Sequence, residues 1–460
     1  MAAQFDYIPS TTDFQSTAEP LIIQVRETLA GPFFKYRFIL VIKNRNGDQL
    51  AKLKTHPLAS DNLSAVFDIS RVCDDYIGAN IVNSNATTGN ILTLGRTGFA
   101  PAFAISESTD RNVAAQFTLE LGFESATSAT AEPTETLPQS PAETTTLFAF
   151  RDEFQNYGDA YARGDGSFQP TAATDNFLSS APDLGRLSTV TPLGNAREHR
   201  IGIDQASVLA WGMQSSTAEY IMIRGYKTDG TIIAIAALDI DIVGGEIVPT
   251  TDSQAVQFVG IGPANLEDYA TAASNTQLED IFTDPDISYY EVHLADSASI
   301  LEGNQVSVVH RYTIDNGCSK YPRVQLLFLN RHGGWDTFNF DQRSEESVRN
   351  IQRSQYNRPR GNWDSVNGLI DWNYNGWERG VTTTAIKAER QMKVSTDYIE
   401  EGYADHLRDL ALSRSVFIVQ GTDVIPCTVT DSEYLFKTTV NEKLITYSFT
   451  LQYSNRPRLK

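Results

Sequence analysis

Few residues in this chain are of a type and spacing that could do chemistry. The most suggestive spacing is Val259-Gly260-Ile261-Gly262-Pro263-Ala264-Asn265-Leu266. After a strand, glycines so placed let a tight turn present pyrophosphate to a helix N-terminus. Here Asn265 takes the third glycine position, and no strand–helix–strand unit surrounds the motif, so a structural Gly-Pro turn is expected and no cofactor. The six histidines, His56, His199, His293, His310, His332 and His406, form no HExxH and no i,i+4 pair, although His293 and His310 fall on strand-like segments that could meet. No metal site is expected. Arg163-Gly164-Asp165 reads as ordinary turn chemistry, and Glu345-Glu346 and Glu400-Glu401 read as solvated faces. GxSxG elbows and Walker loops are absent from the sequence, so the reading is non-enzymatic.

A different constellation is unusual. Trp335, Trp363, Trp372 and Trp377 are four of the five tryptophans, and they fall together with Phe338, Phe340, Tyr356 and Tyr374. Arg343, Arg349, Arg353, Arg358 and Arg360 share the stretch. Tryptophan, tyrosine and arginine dominate interface hot spots because they combine rigid area with a polar handle. The segment from Trp335 to Trp377 is therefore the candidate subunit interface, against the plainer reading of a domain core with a basic loop. Between Lys320 and Trp363 eight basic residues face four acidic ones, a local +4 in a chain of net charge −20. The remaining surface is strongly acidic and offers a complement. That acidity disfavours nucleic acid as a partner.

The elements that would position these residues are mostly strands. Tyr36 to Lys43 and Gln49 to Leu53 flank Asn46-Gly47, a hairpin signal of the type I′ kind, and Asp229-Gly230 marks a second hairpin between Tyr220–Ile223 and Thr231–Ile235. The two hairpins echo one another, although their residues match too poorly to establish a repeat. Phe117, Leu119, Leu121 and Phe123 alternate as one face of an antiparallel strand. Tyr289–Leu294, Gln305–Ile314, Arg323–Leu329 and Thr337–Phe340 continue the β series, with Asn316-Gly317 between the second and third. One clear amphipathic helix is expected near the C-terminus, with Asp397 and Glu400 at capping-box spacing and Ile399, Tyr403, Leu407, Leu410 and Ala411 lining one face of four turns.

At 460 residues the chain exceeds one compact core. The expected organisation is an N-terminal β domain over residues 1–124, a linker or exposed loop over 125–146, a central β-rich domain over 147–319 and a C-terminal α+β domain over 320–460. The fold class is mainly β, with β-sandwich or barrel modules and a C-terminal segment holding the one clear helix. The linker reading rests on Ser, Thr, Ala, Glu and Pro without apolar period. Cys73, Cys318 and Cys427 are too scattered for a disulfide framework. Met1 to Ser16 is polar and no apolar run is long enough to cross a bilayer, so neither a secretory leader nor a membrane partner is expected.

The run Leu326-Leu327-Phe328-Leu329-Asn330-Arg331-His332-Gly333-Gly334-Trp335-Asp336-Thr337-Phe338-Asn339-Phe340 resembles a hairpin that recurs in virion structural proteins of tailed bacteriophages, Phe-Leu-Asn-Arg-x-Gly-x-Trp-Asp-x-Phe-x-Phe. The basic stretch Arg343 to Arg360, Val424-Ile425-Pro426, Asp431-Ser432-Glu433-Tyr434 and the closing Lys443 to Tyr447 are similar too, as is Phe34 to Ser70. The resemblance covers about half the chain. It implies a tail, ring, adaptor or baseplate component located in the virion after synthesis in the host cytoplasm, with copies of itself and tail, portal or fibre subunits as partners. The alternatives are a receptor-binding or fibre-attachment protein and, less favoured, a cell-wall-degrading enzyme.

Overall fold

The computed structural model describes residues 3–459 apart from 10–13, 18–19, 28–33, 59–63, 79–80, 82–88, 97–104, 108–113, 138–142, 151–176, 189–194, 213–217, 241–255, 297–304, 316–319, 358–361, 367–368, 374–379, 432, 438–444 and 455–457. Strands dominate. In chain order they are β1 (Ala3–Tyr7), β2 (Phe14–Ser16), β3 (Ile22–Glu27), β4 (Phe34–Asn44), β5 (Gln49–Thr55), β6 (Ser64–Asp68), β7 (Ile105–Glu107), β8 (Ala114–Ala126), β9 (Thr134–Thr136) and β10 (Thr144–Phe150). There follow β11 (Asp183–Leu187), β12 (Asn195–Ile201), β13 (Val208–Gly212), β14 (Tyr220–Lys227), β15 (Ile232–Asp239), β16 (Val256–Gly260), β17 (Ile287–Ala295) and β18 (His310–Ile314). The last group is β19 (Val324–Leu329), β20 (Trp335–Phe340), β21 (Glu345–Asn357), β22 (Asn362–Val366), β23 (Leu369–Asn373), β24 (Val381–Ser395), β25 (Val416–Gln420), β26 (Asp423–Val429), β27 (Ser448–Tyr453) and β28 (Arg458–Leu459). Among the described residues four α-helices interrupt them, α1 (Ser70–Tyr76), α2 (Pro263–Ala273), α3 (Thr276–Thr283) and α4 (Tyr403–Leu412).

The first two thirds of the chain trace one path twice. In the N-terminal module the main sheet runs β5-β4-β8-β10-β2, and its one parallel pair is β10 with β2. In the central module it runs β15-β14-β17-β18-β12, with β11 added antiparallel beyond β12, and among the described residues its one parallel pair is β18 with β12. Beside each lies a second sheet built on an antiparallel pair, β3 with β6 or β13 with β16, and a helix follows at once, α1 or α2. The echo between the two hairpins is thus a duplication of topology, carried by strand order rather than by matching residues. Each module buries its own core between its sheets. Phe38, Leu40, Phe117, Leu119 and Leu121 meet Ile23, Val25 and Phe67 in the first, and Ile221, Ile223, Tyr290 and Val292 meet Leu209, Trp211 and Val259 in the second.

Both hairpins form where Asn-Gly and Asp-Gly place them, but through a different turn. Gly47 and Gly230 take φ of 86° and 82°, whereas Asn46 and Asp229 do not enter the left-handed region. A type I′ turn needs positive φ at both central residues, so each turn is instead one in which glycine alone reverses hand. By contrast, Asn316-Gly317 lies outside the described residues and separates strands of different sheets, β18 in the central module and β19 in the C-terminal one.

The stretch read as a linker or exposed loop is threaded through the N-terminal sheet. β8 runs on to Ala126, β9 returns along it with Ser125 opposite Thr134 and Phe123 opposite Thr136, and β10 pairs with β8 from Thr144. Threonine-rich sequence suits a pleated surface, and Glu135 is held by Lys52 and Lys54 of β5, the latter at 2.6 Å. The N-terminal module therefore extends to Phe150, beyond the expected boundary at 124. It also lends β7 to the central module, where Ile105 to Glu107 pair with β16.

The C-terminal sheet has eight strands, in the order β20-β19-β25-β26-β27-β24-β21, with β28 on β24. At its β19–β20 end both faces are covered. Leu326, Phe328, Phe338 and Phe340 pack under Tyr403, Leu407 and Leu410 of α4, while Leu327, Leu329 and Trp335 join Leu92, Phe148, Val208 and Phe258 from the other two modules. The helix starts later than its capping-box spacing indicates. Asp397 accepts from Gln342 at 3.1 Å and Ile399 bridges to Ile445, so the residues before Tyr403 are committed to tertiary contacts. Cys73 and Cys427 are free, buried thiols.

Candidate assembly interface

One sheet edge leaves the body of the protein. β21 and β24 form an antiparallel ribbon from Glu345 opposite Lys393 to Asn357 opposite Val381. Thirteen residues of strand reach about 43 Å at about 3.3 Å per residue. The ribbon loses and regains register. Ile351 is an extra residue on β21 and Thr384 an extra one on β24, so the two irregularities cancel, while each adds local twist. The root is anchored, since Gln391 to Ser395 also pair with β27, and Ile386 and Lys387 with β28.

Every residue of β21 is exposed, on both faces. Among the described residues its far edge has no strand partner. The arm holds its shape at the root through the Arg390 guanidinium, which makes a forked contact with Glu346 (2.7 and 2.9 Å) and lies 4.5 Å over the Tyr453 ring. Tyr453 donates to Glu346 at 3.2 Å, and burial followed by that carboxylate pushes its hydroxyl pKa up to about 12. Beyond the root lie exposed Val348 (67%), Ile351 (48%), Tyr356 (47%) and Val381 (59%). A two-stranded ribbon is marginal in water by itself, and such apolar exposure marks a surface made to be covered.

The interface candidates divide accordingly. Arg343, Arg349, Arg353 and Tyr356 are exposed on or beside the arm. Trp363 and Trp372 are opposite one another in the separate two-stranded ladder of β22 with β23, which lies between β21 and β24 in the sequence. Arg358, Arg360 and Trp377 lie outside the described residues. Trp335, Phe338 and Phe340, read from sequence as interface aromatics, are instead core: the β19–β20 hairpin is sandwiched between layers, so its aromatics on both faces are consumed internally.

The β19–β20 hairpin builds an internal clasp. Buried Asp336 accepts from Ser179 Oγ (2.7 Å), Ser180 N (2.8 Å), Ser180 Oγ (3.1 Å) and Asn330 Nδ2 (2.8 Å). Asn330 also donates to Leu178 O and accepts from the amides of His332 and Gly334. A Cβ on Gly334 would stand 1.7 Å from Leu178 O, so the backbones touch there. Arg331 pairs with Asp409 of α4 at 3.0 Å, and burial raises the Asp409 pKa against that partner's pull. The hairpin thereby ties residues 177–181 and α4 together.

Ser180, His406 and Asp336 include the residue types of a nucleophilic triad, yet they are not wired as one. Ser180 Oγ is 2.9 Å from His406 Nδ1, and Asp336 bonds the serine while lying 3.9 Å from that same ring nitrogen. In a triad the acid orients the opposite nitrogen of the base. The serine hydroxyl here donates to Asp336 and is left to accept from the imidazole, which is a clasp's arrangement.

The glycine-rich turn is likewise occupied by the chain itself. Cβ atoms on Gly260 and Gly262 would fall 2.6 Å from Leu94 O and 2.3 Å from Ser207 N. Buried Asn265 accepts from Ser207 N and donates to Leu92 O and Leu94 O. Backbone stands where a pyrophosphate would lie. The histidine pair that forms is His199 with His310, Nε2 to Nδ1 at 3.0 Å, rather than His293 with His310. His199 stacks on Tyr312 at 4.3 Å, and burial drives both imidazole pKa values down, His310 to about 3. The sequence marks Asn265 only as a departure from the glycine motif, and Asn330 and Asp336 only as members of the run 326–340; no periodicity reveals their bonding roles, because several of their partners lie 58 to 173 residues away.

No protein-family model matches the chain, and no curated protein matches it in sequence.

Proposed function

We propose that this chain is a structural subunit of a tailed-bacteriophage virion, of the tail ring, adaptor or baseplate kind, and that it joins neighbouring copies through the β21–β24 arm. The observation that carries the reading is β21 itself: thirteen consecutive strand residues exposed on both faces, with apolar side chains that a free monomer has no reason to present. Charge supports it. From Arg343 to Ser395 nine basic residues face six acidic ones, so the rest of the chain carries −23 and offers the arm an acidic counterpart. The virion assignment draws on the phage-like hairpin of residues 326–340, whose residues here bind the modules to one another.

Negative-stain images of phage particles labelled with an antibody against the chain test the location; label confined to the tail is expected, and unlabelled particles overturn it. Deleting residues 351–385 and joining Asn350 to Ile386 with a short turn, which keeps the root pairs with β27 and β28, tests the arm. Loss of self-association on sedimentation, with the remaining domains still folded, is expected, and unchanged association overturns the role of the arm.

A further inference from the structure

The outer face of the central sheet, turned away from the core residues Ile223, Tyr290, Val292 and Tyr312, carries a row of four charges. Glu198 of β12 stands opposite Arg311 of β18, Arg311 opposite Glu291 of β17, and Glu291 opposite Arg224 of β14. The row alternates in sign, and Glu198, Glu291 and Arg224 are all buried. Three of its members are held. Arg311 places Nε (3.1 Å) and Nη2 (2.7 Å) on Glu291 Oε1 and donates from Nη2 to Leu187 O at 2.8 Å. Glu291 Oε2 accepts from Ser188, and Glu198 Oε1 accepts from Arg186 and Thr313.

Arg224, at the end of the row, is different. Its neighbour on the far side is Ile235 of β15, and the buried Met222 and Tyr226 flank it along its own strand. Among the described residues no carboxylate forms an ion pair with it and no acceptor meets its buried Nε. Diagonal to it on β17 is His293, which is buried too and has an orphaned Nδ1. Diagonal neighbours in an antiparallel pair lie about 7–8 Å apart, within reach of long side chains. Burial, and after it the Arg224 charge, hold the His293 pKa down at about 3, so the imidazole is neutral and has one N–H to donate. A buried cation without a partner is destabilising, and an unsatisfied buried group of this kind marks the place of an ion.

We infer that Arg224 and His293 form a binding site for a small oxyanion of the phosphate or sulfate kind, gripped by the guanidinium fork with a further N–H from the imidazole. The apolar walls from Met222, Tyr226 and Ile235 lower the local dielectric and strengthen that attraction. Glu291, whose charge would repel an anion, is already neutralised by Arg311. Arg224 keeps 8% of its surface exposed, an opening that suits a small ion. The site is independent of the arm.

The test is thermal unfolding of the full-length protein against inorganic phosphate, with ionic strength held constant by chloride. Wild type should show a saturable rise in melting temperature, because a ligand that binds only the folded state stabilises it by mass action. Arg224→Met keeps the bulk and removes the charge. It should melt no lower than wild type in phosphate-free buffer, since no ion pair is lost, and should retain only the shallow, unsaturable increase that phosphate gives by exclusion from protein surfaces. Phosphate should also move the His293 imidazole resonance of wild type, identified by its loss in His293→Gln. A wild type without the saturable rise, or an equal rise in Arg224→Met, would reveal an adventitious ion only and overturn the site. An Arg224→Met chain that unfolds or melts far below wild type would make Arg224 a paired structural charge, and a His293 resonance unmoved at high phosphate would remove the imidazole; either result also defeats the proposal.

Discussion

Asn330 and Asp336 face each other across the mouth of one hairpin, with the Asn330 amide donating to the Asp336 carboxylate at 2.8 Å, and between them they gather backbone and side-chain groups from residues 178–180. Removing Asp336 takes the acceptor from four donors at once, the buried Asn330 amide and three part-buried groups of Ser179 and Ser180. Asp336→Ala should lower stability by about 3 kcal/mol or more, since each unsatisfied buried group costs about 1–3 kcal/mol. Urea unfolding measures it, and a loss under about 1 kcal/mol would show that the clasp is dispensable.

Two glycines should respond differently to the same substitution. Gly334→Ala drives a methyl into Leu178 O, a backbone atom that cannot swing aside, and should cost roughly 3 kcal/mol. Gly47→Ala meets open space and incurs only the strain of its φ of 86°, about 1 kcal/mol. Thermal melts of the two variants side by side check the order; equal losses would contradict the close backbone approach.

The arm's arginines should matter to assembly and not to folding. Arg349→Ser with Arg353→Ser should weaken self-association while changing monomer stability by less than about 0.5 kcal/mol, the usual range for exposed positions. Association should also fall with added salt, because attraction among exposed charges is screened within about 10 Å at 0.1 M. Sedimentation velocity across a salt series reads both effects. A double variant that unfolds, or associates normally at every salt concentration, refutes the interface.

Acid should loosen the central module. His199 and His310 have depressed pKa values in the folded state, so the unfolded chain binds more protons below about pH 6.5. Their contribution is complete above that pH and is lost as the pH falls below it, for His310 down to about 3, at about 1.4 kcal/mol per pH unit for each histidine. Glu198 and Asp409, raised by burial, act in the opposite sense near the carboxylate range, so the histidine slope is cleanest from pH 6.5 to 5. Unfolding free energy measured across that interval should decline, and His310→Gln should flatten the decline; a flat wild-type profile would disprove the linkage.

Local signals in the sequence were reliable where local physics decides. Asn46-Gly47 and Asp229-Gly230 mark real hairpins, and Phe117, Leu119 and Leu121 do share a core face. What could not be read is long-range. The strand order repeated in two modules has no signature in matched residues, Asp397 is drawn from its expected cap by Gln342, and Thr134 to Thr136 form a strand because β8 offers them a ladder. The interface candidates show the limit most sharply. Phe338 and Val348 lie in one sheet, both hydrophobic, and whether each is covered depends on layers contributed from elsewhere in the chain.

The root of the arm has a mechanical consequence. Tension applied along the arm runs parallel to β24, whose residues Gln391 to Ser395 are laddered to Ser448 to Gln452 of β27. A pull in that direction loads the ladder in shear, so its hydrogen bonds must yield together instead of unzipping one by one. A subunit tethered by this arm would carry load through the interior of the C-terminal sheet while the exposed ribbon bends freely to meet its neighbour.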